Sequence, residues 1–129
     1  NSKTAKSYFE IDLTAFPEST LNLKLNTTIS SERNYDYGYA TITETLSAPE
    51  YNTSAGRFIY VSGPTTTKDY STTLTGGKKH YLYVGYRKDG STHSNNDTFL
   101  INSITLESDE LGRGLNFDNY SKNGNKVDL

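Results

Sequence analysis

Leucine and polar residues alternate strictly in the segment STLNLKLNTTI, residues 19–29, and this pattern constrains the fold more than any other. Leucine occupies every second position from Leu21 to Leu25, and asparagine or lysine stands between. Successive side chains of a strand point to opposite faces, so the spacing predicts a strand with one buried side and one solvent-facing side. The same alternation from Phe9 to Leu13 predicts a second half-buried strand.

Five further segments are rich in β-branched and aromatic residues and are bounded by Gly, Pro, Asn, Asp or Ser, which is typical of short strands. They span residues 37–44, 56–62, 69–74, 80–87 and 97–106. No window of a dozen residues has the apolar spacing of an amphipathic helix. Seven short strands therefore predict an all-β fold of two antiparallel sheets packed face to face. The expected core residues are Leu21, Leu23, Leu25, Phe58, Leu82, Val84, Phe99 and Ile101.

The chain of 129 residues has the length of a single domain with a sizeable core. Regular alternation stops after Leu106, so residues 1–106 are predicted to form the sandwich and residues 107–129 a tail or linker. Within that tail, the segment GLNFDNY is the candidate for one extra, eighth strand. Because the sequence begins at Asn1 rather than at Met, we expect it to be a piece of a longer chain.

The composition argues against several classes of function. Lysine and arginine number 13 against 15 Asp and Glu, so the net charge of -2 lacks the basic excess that a nucleic-acid partner requires. The absence of cysteine excludes a disulfide framework, a thiolate metal site and a cysteine nucleophile. No run approaches the roughly 18–20 apolar residues that span a bilayer, so membrane insertion is not predicted.

Catalytic motifs are not recognisable either. The two histidines, His80 and His93, do not accompany a nucleophile elbow or another local motif of a catalytic triad. Asp36, Asp89 and Asp97 could supply a pair of catalytic carboxylates, but a small sandwich has little room for the deep cleft that such a pair needs. We therefore predict that the chain is not an enzyme.

The order of the strands predicts where the polar loops lie. If each strand crosses the sandwich and the next one returns, alternate connections share one end of the molecule. The connections at one end are then 30–36, 63–68 and 88–96, and those at the other end are 14–19, 45–55 and 75–79. The first group is the more polar, and loops on a rigid sandwich commonly display binding residues. The candidate ligand-binding residues are Arg33, Asn34, Tyr35, Asp36, Lys88, Asp89, His93 and Asn96.

Two kinds of ligand suit these loops. Carboxylates and amide carbonyls are the ligands that Ca²⁺ prefers, although Asp and Asn also close turns through local hydrogen bonds. The candidates for a Ca²⁺ site are Glu32, Asp36, Asp89, Asn96 and Asp97. A glycan offers apolar ring faces and many hydroxyls, which tyrosines interleaved with polar residues can match. The tyrosines concerned, for which packing in the sheet is the alternative, are Tyr35, Tyr37, Tyr39, Tyr81, Tyr83 and Tyr86.

Three stretches carry a family resemblance: ISSERNYDYGYATIT, GRFIYVSG and KKHYLYVGYRKDGSTHSNNDTFLINSITL. Their recurring features are an SSE…YDYG entry into a strand, YRKD at a strand end and a closing strand of the form D-x-F-x-I-x-x-I. Residues 6–106 thereby resemble jelly-roll β-sandwich modules, MAM-like or carbohydrate-binding-like, of bacterial surface proteins and phage tail fibres. The residues at the family's characteristic positions are Ser31, Glu32, Tyr35, Asp36, Arg87, Lys88, Asp89 and Asp97.

The resemblance implies a jelly-roll-like sandwich of seven to eight strands and a non-catalytic module that attaches a longer protein to a glycan or surface receptor. It implies an extracellular location, on a cell surface or a virion, with neighbouring domains and a homo-oligomer of the parent protein as further partners. The tail from Glu107 is similar to the junctions of modular fibre proteins. The alternative function is a structural spacer or capping domain of a fibre or adhesin that makes protein contacts.

Overall fold

The computed structural model describes residues 3–17, 19–89, 97–108, 113–116 and 126–128, which form an antiparallel β-sandwich without helix. Seven strands build the sandwich and two short strands extend its edges. They are β1 (Lys3–Asp12), β2 (Thr20–Ser30), β3 (Tyr37–Thr43), β4 (Arg57–Val61), β5 (Thr66–Thr75), β6 (Lys79–Lys88), β7 (Thr98–Ser108), β8 (Arg113–Asn116) and β9 (Lys126–Asp128). The predicted all-β sandwich is confirmed. None of the described residues belongs to a helix long and apolar enough to cross a membrane.

The strands lie in two sheets. Sheet A has the order β4-β3-β6-β1-β9, and sheet B has the order β5-β2-β7-β8. Neighbouring strands are antiparallel except β1 and β9, which run parallel. Among the described strands, only the β3–β4 and β7–β8 connections stay within one sheet. The other connections pass between the sheets, which is the jelly-roll-like feature of the fold.

Inward-facing side chains of both sheets form the core. The alternation predicted for β2 is confirmed, since Leu21, Leu23 and Leu25 are buried while the residues between them are partly exposed. The core cluster contains Phe9, Ile11, Leu13, Leu21, Leu23, Leu25, Ala40, Ile59, Leu74, Leu82, Val84, Ile104 and Leu106. Three of the predicted core residues, Phe58, Phe99 and Ile101, are partly buried and pack against this cluster.

A β-bulge in β7 explains the mixed apolar pattern of that strand. Pairing between β2 and β7 is irregular at Asn102, which is skipped in the register. One extra residue in a strand reverses the alternation of its side chains. Phe99 and Ile101 therefore pack towards the core before the bulge, whereas Ile104 and Leu106 do so after it.

Part of the 107–129 segment joins the sandwich. The strand β8 pairs antiparallel with the second half of β7, and it overlaps the segment GLNFDNY that was the candidate for an extra strand. Residues 117–120 of that segment lie outside the described residues. The strand β9 pairs in parallel with β1 at Glu10 to Asp12, an addition that the sequence pattern does not predict.

The polar connections lie together at one end of the sandwich, as the strand order predicts. Ser31 N in the β2–β3 loop donates to Gly63 O in the β4–β5 loop at 2.8 Å. Asp89 N, directly after β6, donates to Asp36 Oδ1 at 2.9 Å. Backbone hydrogen bonds join the β1–β2 and β5–β6 connections at the opposite end. We call the end formed by residues 31–36, 62–65, 89 and 97 the site end.

Candidate functional site

The β2–β3 loop at the site end is held by a buried serine. Ser31 Oγ donates to Asp36 O at 2.8 Å and accepts from Gly63 N at 3.0 Å. Gly63 has a φ of 119°, a conformation that residues with a side chain rarely adopt, and this lets its backbone approach the serine. The loop between Ser31 and Asp36 is closed further by the backbone amides of Tyr35 and Asp36, which both donate to Glu32 O. The SSE…YD motif therefore encodes a rigid turn.

A buried carboxylate connects this turn to the end of β6. Asp36 is 0% exposed, and its Oδ1 atom accepts the hydrogen bond from Asp89 N. Its Oδ2 atom lies 3.7 Å from Lys88 Nζ, and that ammonium group lies 3.2 Å from Asp97 Oδ2. Tyr86 OH donates a hydrogen bond to Asp97 Oδ1. The five residues form one charge network, which joins the β2–β3 loop to both ends of the β6–β7 connection.

The predicted ligand-binding residues separate into three groups. The predicted proximity of Asp36 and Asp89 is confirmed, and the carboxylate of Asp36 is shielded from solvent, where it holds the β2–β3 loop to the end of β6. Arg33, Asn34 and Tyr35 are exposed on the turn. Lys88 is bound into the charge network. Two further candidates, His93 and Asn96, lie outside the described residues.

Three of the predicted Ca²⁺ ligands lie close together. Carboxylate oxygens of Glu32, Asp36 and Asp89 lie within 4.8 Å of one another, a donor set of the type that Ca²⁺ prefers. Asp97, another predicted ligand, forms an ion pair with Lys88 instead. Because the ammonium group of Lys88 also lies beside Asp36, a cation bound here must compete with a positive charge that the protein itself supplies. Asn96, the remaining candidate ligand, lies outside the described residues.

The charge network predicts a loss of stability in alkaline solution. Burial, followed by the hydrogen bond to Asp97, raises the pKa of Tyr86 above its ordinary value of 10.0. The stabilisation from this phenol is therefore fully present below the pKa of an unfolded tyrosine and is lost as the pH rises beyond about 10. Urea titrations at several values between about pH 9 and 11 measure how the free energy of unfolding falls with pH. We expect this fall to be smaller in Tyr86→Phe than in the wild type, because the variant has no phenol to ionise. Equal declines in the variant and the wild type would contradict this role of Tyr86.

A second group of residues lies beside the turn on the outer face of sheet A. We call it the tyrosine–arginine surface, and it consists of Tyr35, Tyr37, Tyr51, Arg57, Tyr60 and Arg87. The rings of Tyr37 and Tyr60 stack at 4.5 Å with an angle of 11° between their planes. The guanidinium group of Arg57 lies 3.8 Å from the centre of the Tyr60 ring, and that of Arg87 lies 4.9 Å from the Tyr51 ring. Two contacts this short cannot share one ring face, so Arg57, Tyr60 and Tyr37 stack in that order.

A bulge in the β3–β4 pairing creates the contact between Arg57 and Tyr60. Tyr60 faces Tyr39 in the register, whereas Arg57 faces Thr41, so the pairing skips one residue of β4. In a regular strand two residues three positions apart point to opposite faces. The bulge returns Arg57 to the outer face that already carries Tyr60.

The β3–β4 connection folds back over the same face of sheet A. Arg57 Nη1 donates to Tyr51 O at 2.9 Å, which holds the connection near the start of β4. Glu50 forms an ion pair of 3.5 Å with Lys6 of β1. Tyr51 thereby reaches the rings of Tyr37 and Tyr60, with centroids 6.4 Å and 6.5 Å apart.

Tyr35 links the turn to this surface. Arg87 Nη1 donates to Tyr35 O at 3.0 Å, and the backbone amide of Tyr35 donates to Glu32 O at 3.2 Å. The side chain of Tyr35 is 55% exposed. Its ring contacts no other ring or cation among the residues that the structure describes. The chain thus presents an aromatic face to solvent on a backbone that is held at two points.

The other tyrosines considered from the sequence have structural positions. Tyr39 is buried because its ring lies across Gly85, where an added Cβ atom would come within 2.5 Å of the ring. Tyr81 and Tyr83 pack beside Tyr8, and Tyr86 belongs to the charge network. Tyr51, Arg57 and Tyr60 were not among the binding residues predicted from the sequence. The segment GRFIYVS contains both Arg57 and Tyr60, but regular alternation would place these two side chains on opposite faces of the strand, so the sequence does not show that they meet.

A scan of the chain against models of protein families and a search of curated proteins both found no match. The resemblance to jelly-roll modules of surface proteins and tail fibres therefore stays a prediction. What the tyrosine–arginine surface binds has to be inferred from its own geometry and charge.

Proposed function

We propose that the chain is a non-catalytic module that binds a glycan of a cell surface or host through the tyrosine–arginine surface. The observation that carries this proposal is the 55% exposed side chain of Tyr35, whose backbone carbonyl accepts a hydrogen bond from Arg87, the arginine that also lies over the ring of Tyr51. An exposed aromatic face matches the apolar face of a sugar ring, while phenol hydroxyls and guanidinium groups match its hydroxyls. Hydrogen bonds of Ser31 hold the β2–β3 loop, and a hydrogen bond of Arg57 holds the β3–β4 connection. Because these two segments are already fixed, little backbone conformational entropy is lost on binding.

In this proposal the charge network supports the binding surface without touching the ligand. Asp36 holds the β2–β3 loop and the end of β6 together, and Arg87 in β6 contacts both Tyr35 and Tyr51. The module would act outside the cell, on a cell surface or virion, as one part of a longer surface or fibre protein. No metal ion is needed for the contacts described, and any Ca²⁺ at Glu32, Asp36 and Asp89 would stiffen the loop.

A glycan array tests the proposal. We expect the wild-type chain to bind a reproducible subset of printed glycans, and we expect Tyr35→Ala to weaken that binding about tenfold or more, because one sugar-stacking contact is lost. The matched control is Leu100→Ala, since Leu100 is 52% exposed and lies in β7 of sheet B, whereas the tyrosine–arginine surface lies on sheet A. A blank array for the wild type, or equal binding by both variants, would overturn the proposal.

One observation favours a structural function as the second candidate. The strand β5 is an edge strand of sheet B, has ten residues and is largely exposed. An edge strand of this length offers unpaired backbone groups to a strand of another protein. A blank glycan array together with self-association of the isolated chain would favour a spacer or capping domain over a glycan-binding module.

A further inference from the structure

Arginine caps the tyrosine stack at two separate places. The guanidinium group of Arg57 covers Tyr60, and that of Arg87 lies over Tyr51. A tyrosine phenol is uncharged at neutral pH, and burial raises the pKa of Tyr60 further above its ordinary value of 10.0. The surface therefore combines neutral aromatic rings with two permanent positive charges, although the whole chain has a net charge of -2.

The charge of Arg57 is not matched by a carboxylate within the described part of the chain. Its hydrogen bond goes to a backbone carbonyl, Tyr51 O, and none of the five ion pairs in that part includes it. Glu50, in the connection beside it, is paired with Lys6. A guanidinium group has five N–H donors in a planar fork. Most of the donors of Arg57 are thus left for solvent or for a ligand at the edge of the stack.

Building on the proposed glycan-binding function, we propose that this surface selects acidic glycans and that Arg57 recognises a carboxylate of the sugar. A guanidinium group binds a carboxylate through two parallel hydrogen bonds, which no neutral hydroxyl can reproduce. The stack of Tyr60 and Tyr37 holds the planar group in place, so its orientation is set before the ligand arrives. The ring of Tyr35 then stacks on the apolar face of a sugar ring of the same glycan.

Matched pairs of glycans test this selectivity. The probes are 3'-sialyllactose against lactose, and trigalacturonate against its methyl ester, each titrated by isothermal calorimetry into the wild type and its variants. We expect the wild type to bind the acidic member of at least one pair about ten times more tightly. We expect Arg57→Gln to bring the ratio of acidic to neutral affinity close to one, whatever the loss of absolute affinity. Arg57→Lys, which keeps the charge but not the fork, is expected to give an intermediate ratio.

The control variant is Lys24→Gln, which removes the same charge from the polar face of β2 in sheet B and is expected to leave the ratio unchanged. Equal affinity of the wild type for both members of each pair would overturn the selectivity and leave glycan binding standing. An unchanged ratio in Arg57→Gln would overturn the role of Arg57. Absence of binding to every probe and to the printed array would remove the proposed function, and the selectivity with it.

Discussion

Replacing Leu23 by alanine is expected to lower the free energy of unfolding by about 2–5 kcal/mol, the usual cost of removing a buried leucine side chain from a packed core. Leu23 lies in β2, the strand that pairs with both β5 and β7 in sheet B. Its side chain is 0% exposed, and its partner in β7 is the equally buried Leu106. The lost contacts come from both sheets, so surrounding side chains can fill the cavity only in part. Urea unfolding followed by circular dichroism measures the change.

The control for that variant is Leu46→Ala, which removes the same atoms from an exposed position. We expect a change below about 0.5 kcal/mol, because surface substitutions rarely exceed that value. A loss below about 0.5 kcal/mol for Leu23→Ala as well would place Leu23 outside the core and contradict the packing of β2.

Replacing Asp36 by alanine is expected to lower the unfolding free energy by about 2 kcal/mol or more, because it removes the acceptor of a part-buried amide and the partner of an ammonium group. The amide is that of Asp89, and the ammonium group belongs to Lys88. The variant should also weaken binding of the array glycan, since Asp36 aligns the turn that carries Tyr35 with the end of β6. Urea unfolding and calorimetric titration measure the two effects.

Asp69→Ala is the matched control for Asp36→Ala. Asp69 is an exposed aspartate of β5 that accepts one hydrogen bond, from Asn26 at 2.8 Å. Exposed interactions of this kind contribute about 1 kcal/mol or less. An equal loss of unfolding free energy in the two variants would show that the buried contacts of Asp36 with Asp89 and Lys88 contribute no more than an exposed hydrogen bond.

Alternation was enough to predict the sandwich and the position of the polar loops. The leucines of β2 and the apolar residues from Phe9 to Leu13 are buried as their spacing predicts, because a strand with one buried side imposes a period of two. The meeting of Asp36 and Asp89 followed from the same pattern, since antiparallel crossings bring alternate connections to one end.

The tyrosine–arginine surface was not predictable in the same way, because two of its features break the local pattern. A bulge places Arg57 on the face of Tyr60, and periodicity alone does not reveal where a strand gains one residue. The contact of Tyr51 depends on a long connection folding back over sheet A. The burial of Tyr39 was hidden too, because it follows from the missing side chain of Gly85 across the sheet. Long-range contacts decided these positions.

An NMR titration shows directly whether a glycan binds at the tyrosine–arginine surface. The wild-type chain labelled with ¹⁵N is titrated with the printed glycan that gives the strongest array signal, and the shifts of the backbone amides are mapped onto the structure. Binding at this surface predicts the largest shifts at Tyr35, Tyr37, Tyr51, Arg57, Tyr60 and Arg87. Largest shifts on the outer face of sheet B, around Asn26, Thr28 and Asn102, would contradict it.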